Sequence, residues 1–444
     1  MTASQHFFAE LALLPAGWSR NVRIGVDGGN IAAIASDATA DGATRLSGAL
    51  VPGMPNAHSH AFQRALAGRL ESALVGPQTF WSWRDGVYPL IKRLEPDDVE
   101  SIAAYLYAEM LEGGYTSVAE FHYLHNAPDG KPYANRGEMS QRLLRASQRT
   151  GIGITLLLAL YRHSDFSAHD VLPEQRRFVM SVDELVGTLG TLGAEFKEAR
   201  IGVAPHSLRA VNAQDLKDLL ASIPPETTVH MHIAEQRREV EACLRHYNER
   251  PVTWLLAHAP VSSAWTLVHA THASQAELQG IARSGAVVAL APTTEANLGD
   301  GIFSASEFHD AGGRFAIGSD SHVAIDPFAE LRMLEYGQRL REAQRGILKR
   351  HYRQALQGGA QSLGIRAGSL EVGRRADFIT LDLDDPALTG WPEQALLDAW
   401  IFGPARNPVR DVVAAGVQVV SGGRHRDREA LAEAYKKTLR RLFS

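Results

Sequence analysis

The strongest constraint on this chain is an alternation. Short runs that are apolar on both faces are separated by longer stretches with helical character. Thr116–Phe121, Ile152–Leu158, Ile201–Ala204, Val229–Ile233, Trp265–Val268, Ala286–Leu290 and Phe315–Ile317 are the short runs. Pro96–Gly113, Ala213–Ser222 and Gln338–Leu356 are among the helical stretches between them. A strand that is apolar on both faces has helices on both sides, which is the condition of a parallel sheet. Strand and helix alternating over about 300 residues therefore predict an α/β fold, a (β/α)8 barrel of the TIM type.

The two ends read differently. Phe7–Leu14, Val22–Val26 and Ile31–Ile34 are strand-like, and Asp27-Gly-Gly-Asn30 suits a hairpin turn. Strand texture returns at Ala376–Leu381 and at Val412–Val420, which is interrupted by Ala-Ala-Gly. The 444 residues exceed one small core. The expected organisation is a small β-sandwich domain made from residues 1–50 and 368–424, a barrel over 51–367, and a C-terminal helix over 425–444. A net charge of −5 gives no electrostatic footprint for nucleic acid. No apolar run is long enough for a spanning helix, and no basic segment precedes the apolar Leu11–Leu14, so neither a membrane nor a secretory signal is expected. Cys243 is the only cysteine, which excludes an intrachain disulfide. The expected compartment is the cytoplasm.

The chemistry-bearing residues fall at the carboxyl ends of the strand candidates, which in such a barrel converge on one face. His58-Ser-His60 places two imidazoles on one side of an extended segment, where they can grip one ion or simply be two surface histidines. His232-Ile-Ala-Glu235 ends the Val229–Ile233 run. His232 is the better ligand candidate, and His230, deeper in the strand, reads as an interior hydrogen bonder. Glu235 lies just beyond, where a general acid/base belongs. His269 closes the Trp265–Val268 run, and His272 reads as structural. Asp320, in Ile317-Gly-Ser-Asp-Ser-His322, is either a metal ligand or a helix cap. Arg209, at the mouth of Ile201–Ala204, can bind a carboxylate bidentately or sit in a surface salt bridge. Three nitrogens and one carboxylate oxygen suit zinc with a position left for water. No lysine ends the Ile201 strand, which argues against a carbamylated-lysine bridge and favours one metal.

The order H-x-H, H-x-x-E, H and S-D resembles the amidohydrolase superfamily in its single-metal deaminase branch. Pro52-Gly-Met-Pro-Asn-Ala-His-Ser-His-Ala-Phe-Gln-Arg64, Glu120-Phe-His-Tyr-Leu-His125, Ala204-Pro-His-Ser-Leu-Arg209, His232-Ile-Ala-Glu-Gln236 and Pro292-Thr-Thr-Glu-Ala-Asn-Leu-Gly-Asp-Gly301 resemble the formimidoylglutamate deiminases more particularly. The resemblance implies one Zn2+ per chain held by His58, His60, His232 and Asp320. It implies Glu235, His269 and Asp320 as catalytic residues, and Gln63, Arg84, Tyr123, His206 and Arg209 as substrate-binding ones. The implied reaction is hydrolytic deimination of N-formimino-L-glutamate to N-formyl-L-glutamate and ammonia in histidine degradation, with a small dicarboxylate substrate and a homodimeric assembly. Two rivals accompany this expectation. One is a deaminase of a nucleobase or related heterocycle, which would call for stacking and amide contacts rather than paired arginines. The other is a metal-free barrel acting as a binding protein, which would call for broken ligand positions.

Overall fold

The computed structural model describes residues 5–71, 79–348 and 351–444. Sixteen strands form two eight-stranded sheets among these residues. The first sheet draws on both ends of the chain. It contains β1 (Gln5–Leu14), β2 (Gly17–Asp27), β3 (Asn30–Ala35), β4 (Thr44–Pro52), β13 (Phe378–Leu381), β14 (Val409–Ala414), β15 (Val417–Ser421) and β16 (Arg424–His425). The termini meet where β4 pairs with β1 on one side and with β13 on the other. The run Val412–Val420, expected as one interrupted strand, is a hairpin of β14 and β15. Its turn needs positive φ at Ala415 and Gly416 (48° and 78°), and the Ala415 amide donates to Asp377 Oδ1 at 2.8 Å. Local β-propensity says nothing of that anchor.

The second sheet is the barrel. Its strands are β5 (Met54–Ser59), β6 (Tyr115–His122), β7 (Gly153–Leu160), β8 (Arg200–Pro205), β9 (Val229–Ile233), β10 (Trp265–His269), β11 (Val287–Leu290) and β12 (Arg314–Ile317). They run in sequence order, and each paired neighbour is parallel. Except for the first residues of β8 and β12, their side chains are buried, which is why they read as two-faced apolar runs. The ring closes just past β12. Ser59 bridges Asp320, and the amides of Ser319 and Asp320 both donate to the His58 carbonyl (3.1 and 3.0 Å). Gly318 permits this closure, because a Cβ there would lie 2.7–2.9 Å from His58 backbone and Cβ atoms. Thr155, His230 and Thr266, on three different strands, bond the last turn of helix His351–Leu363, which stoppers the amino-terminal end of the barrel.

One helix expected from sequence is absent. Gln338–Leu356 is not continuous, because one helix ends at Glu342 and another begins at His351. Ala343 and Gly346 take positive φ (52° and 67°), and Glu335 reaches forward to accept the amides of Ile347 and Leu348 at 3.1 and 2.9 Å. A side chain two turns before the break therefore satisfies the interrupted backbone. No described helix is long and apolar enough to cross a membrane. The final helix is Arg428–Phe443, and Cys243 is buried on helix Arg237–Tyr247.

Candidate metal centre and active site

The carboxyl ends of β5, β9 and β12 bring His58, His60, His232 and Asp320 together. The Nε2 atoms of His58 and His60 lie 3.1 and 3.3 Å from His232 Nε2. Asp320 Oδ1 lies 3.6 and 3.7 Å from the same two nitrogens. The tautomers are set from behind. His60 Nδ1 is 2.8 Å from the Phe121 carbonyl and His232 Nδ1 is 3.0 Å from the His206 carbonyl. A carbonyl only accepts, so each Nδ1 carries the hydrogen and each neutral ring turns a bare lone pair inward. Burial also holds His60 down to about 3 and His232 well below the ordinary imidazole range, so the rings are neutral. Two lone pairs facing each other at 3.3 Å repel unless a cation lies between them. Four ligands around zinc at about 2.0–2.1 Å would stand about 3.3 Å apart, and the separations of His232 and of Asp320 from the His58 and His60 nitrogens, 3.1–3.7 Å, lie close to that spacing.

His269 is wired differently. Its Nδ1 lies 3.2 Å from Glu295 Oε1, while its Nε2 faces Glu235 Oε1 at 3.7 Å and Asp320 Oδ2 at 3.8 Å. Burial opposes charge on this ring, but the carboxylates of Glu235, Glu295 and Asp320 outweigh it and raise it to about 10. His269 comes within 4.8 Å of His58 and His232, but both of its ring nitrogens face carboxylates, Nδ1 that of Glu295 and Nε2 those of Glu235 and Asp320. Asp320 thus has two distinct oxygens. Oδ1 faces the neutral imidazoles and Oδ2 faces the charged one.

The positions of these groups are held against backbone preference. Ala234, His269, Ala270, Asp320 and His322 all have positive φ (50, 69, 47, 44 and 65°), unusual for residues with a Cβ. Strain of this kind persists where surrounding structure over-determines it. Glu239 supplies part of that restraint, accepting the amides of Ala234 and Glu235 at 3.2 and 3.1 Å. Glu120, buried under β5, accepts from Ser59 Oγ and from the Ala61 amide at 2.6 Å each, pinning the segment that carries His58 and His60.

A pocket opens beside this centre. His60, His232, Glu235, His269 and Asp320 line it, together with Gln63, Arg84, Tyr123, His206 and Arg209. All five residues expected to hold substrate are therefore in one cavity with the centre. Gln63 Nε2 donates to Tyr123 Oη at 2.9 Å, leaving the buried Gln63 Oε1 without a partner. Arg209 makes no ion pair among the described residues, so its expected alternative, a surface salt bridge, is absent; Arg84 has a 3.4 Å contact with Asp85. His230 bonds the Ser362 carbonyl at 2.8 Å, and His272 stands outside the lining. Several contributors were not singled out from sequence: Glu295 and Glu239 behind His269 and Glu235, and Tyr88 and Tyr161 in the pocket lining. Glu295 lies inside a motif that carried the resemblance, and Tyr161 directly follows β7, which was a readable signal.

Known proteins resemble this chain along nearly its whole length. The amidohydrolase family profile covers residues 49–419, and that of the formimidoylglutamate deiminase HutF N-terminal domain covers residues 5–48. The formimidoylglutamate deiminase of Pseudomonas aeruginosa PAO1 is 49% identical over 98% of this chain and 99% of its own length. A crystal structure of an amidohydrolase from Brucella melitensis superposes with a TM-score of 0.92 at 42% identity, covering 99% of this chain and 100% of that one. An adenosine deaminase from Xanthomonas campestris with bound zinc shares the fold (TM-score 0.83, 23% identity, 99% and 98% covered). The chain belongs to the amidohydrolase family and, within it, to the formimidoylglutamate deiminases.

Proposed function

We propose that this protein hydrolyses N-formimino-L-glutamate to N-formyl-L-glutamate and ammonia, with one zinc ion per chain held by His58, His60, His232 and Asp320. The observation that carries the reading is the pairing of that four-atom set with a pocket whose Arg209 guanidinium has no partner among the described residues. When bound, zinc supplies a water acidified from a pKa of about 15.7 toward about 7.

Asp320 divides its two oxygens between tasks. Oδ1 faces the metal-binding imidazoles, and Oδ2 accepts a hydrogen bond from the attacking water and aims it. His269 Nε2–H stabilises the oxygen on which charge develops as the formimino carbon becomes tetrahedral. Glu235 takes one proton from the water to the formimino nitrogen as the carbon becomes tetrahedral, then relays the second, from the new hydroxyl, to the same nitrogen. Both hydrogens of the water thus end on that nitrogen, the carbonyl forms and ammonia leaves instead of an amide anion. Water is consumed and one C–N bond is broken. Gln63, Tyr123 and His206 line the approach to the centre, and Arg209 and Arg84 grip the substrate's carboxylates, which positions the carbon for attack. The reading also takes the enzyme to work in the cytoplasm as a homodimer, without a nucleic-acid or membrane partner. An ammonia-release assay comparing N-formimino-L-glutamate, its aspartate analogue and a panel of nucleobases tests the reaction. Turnover of a nucleobase with none of the glutamate compound would overturn it.

A further inference from the structure

We infer that Tyr88 and Tyr161, held by Gln175, form a pair of hydroxyl donors that recognises a carboxylate of the ligand beside Arg209. This deepens the function proposed above and rests on it for the identity of the ligand.

Gln175 is buried, and the orientation of its amide is fixed by its own contacts. Its Oε1 accepts the Leu172 amide at 3.0 Å, so its Nε2 must face the pocket side. That nitrogen has two hydrogens, and it lies 2.9 Å from Tyr161 Oη and 3.3 Å from Tyr88 Oη. Both phenol oxygens therefore act as acceptors here, which leaves both phenol hydrogens uncommitted. No acceptor for either hydrogen occurs among the described residues, and both rings line the pocket that holds Arg209 and Arg84. Two donors with no acceptor among the described residues, converging from separate elements beside a guanidinium that also has no partner among them, present a surface made for an anion.

The geometry is built rather than incidental. Tyr88 lies on helix Phe80–Ile91, Tyr161 follows β7, and Gln175 sits in the turn of 3₁₀ helix Pro173–Phe178. That turn is tied down on both sides. Arg177 bonds the Ile91 and Asn126 carbonyls, and Asn126 Nδ2 donates to the Arg176 and Val179 carbonyls at 3.0 and 2.9 Å. Gln175 therefore acts through the tyrosines as a positioning residue, and the tyrosines touch the ligand. Burial raises Tyr161 to about 12 against the pull of Arg209 and Arg84, so it keeps its proton at neutral pH.

The test is steady-state ammonia release from N-formimino-L-glutamate by the full-length, metal-loaded Tyr161→Phe, Tyr88→Phe and doubly substituted enzymes. Loss of a hydrogen bond to a charged group is expected to raise KM about tenfold or more per hydroxyl. The turnover number should stay within about threefold of wild type, the mark of lost ligand binding. A KM within about twofold of wild type in both single variants, or a loss confined to kcat, overturns the assignment. Tyr88→Phe decides alone if Tyr161→Phe fails to fold. Calorimetric binding of N-formyl-L-glutamate separates the two readings. If the wild type binds this dicarboxylate without turning over the formimino compound, the proposed function falls, and equal Kd values for wild type and variants then overturn the tyrosine assignment as well.

Discussion

Replacing Arg209 with Met should raise KM for N-formimino-L-glutamate and lower kcat/KM by about two to three orders of magnitude. The size follows from how Arg209 is placed. It makes no ion pair with any described carboxylate, its Nε is buried without a partner, and it lines the pocket. Removing it therefore breaks no internal salt bridge, and the loss falls on the ligand. A bidentate guanidinium–carboxylate contact comprises two charge-assisted hydrogen bonds, each contributing about 1.5–3 kcal/mol net. The pair would total about 3–6 kcal/mol; part is recovered by water entering the vacated site, leaving about 3–4 kcal/mol, and each 1.36 kcal/mol is tenfold in rate. Arg209 also acts at a distance on the buried Glu239, whose charge it favours, so some folding stability should go with it. Melting temperature measured beside the kinetics keeps the two effects apart. Arg209→Lys retains the charge without the planar fork and should fall between wild type and Met. Ammonia release over a range of substrate concentrations is the assay. A KM for Arg209→Met within about twofold of wild type would refute the reasoning.

Glu235→Gln should retain its zinc by elemental analysis and lose several orders of magnitude in kcat, because the amide cannot carry the proton; near-normal turnover would remove Glu235 from that role. Glu295→Gln should lower kcat about ten- to a hundredfold at unchanged metal content, since the buried carboxylate that faces His269 Nδ1 is lost; an unchanged kcat would show that His269 needs no such partner.

Much of the barrel was legible because its strands are buried on both faces, so that Val229–Ile233 and Trp265–Val268 read directly as apolar runs. The pairing of His58 with His60, and of His232 with Glu235, was legible because strand ends converge in this fold. What escaped depends on contacts remote in sequence. The break after Glu342 lies among Arg, Glu, Ala and Gln, all good helix formers, and is specified by Glu335 accepting the amides of Ile347 and Leu348. The hairpin at Ala415 is held by Asp377, on the segment leading into β13. Glu295 and Glu239 look in sequence like ordinary first-turn acids of their helices, and only the packed barrel turns them toward His269 and toward the amide of Glu235. Gln175 is a polar residue in a short connection, and nothing local says that it will be buried between two phenols.

Elemental analysis and ammonia release on one and the same preparation test the central claim most directly. The expected result is one zinc per chain, with activity lost on chelation and restored in proportion to added zinc up to one equivalent. Full release of ammonia from N-formimino-L-glutamate by protein holding less than about a tenth of an equivalent of any divalent metal would contradict it.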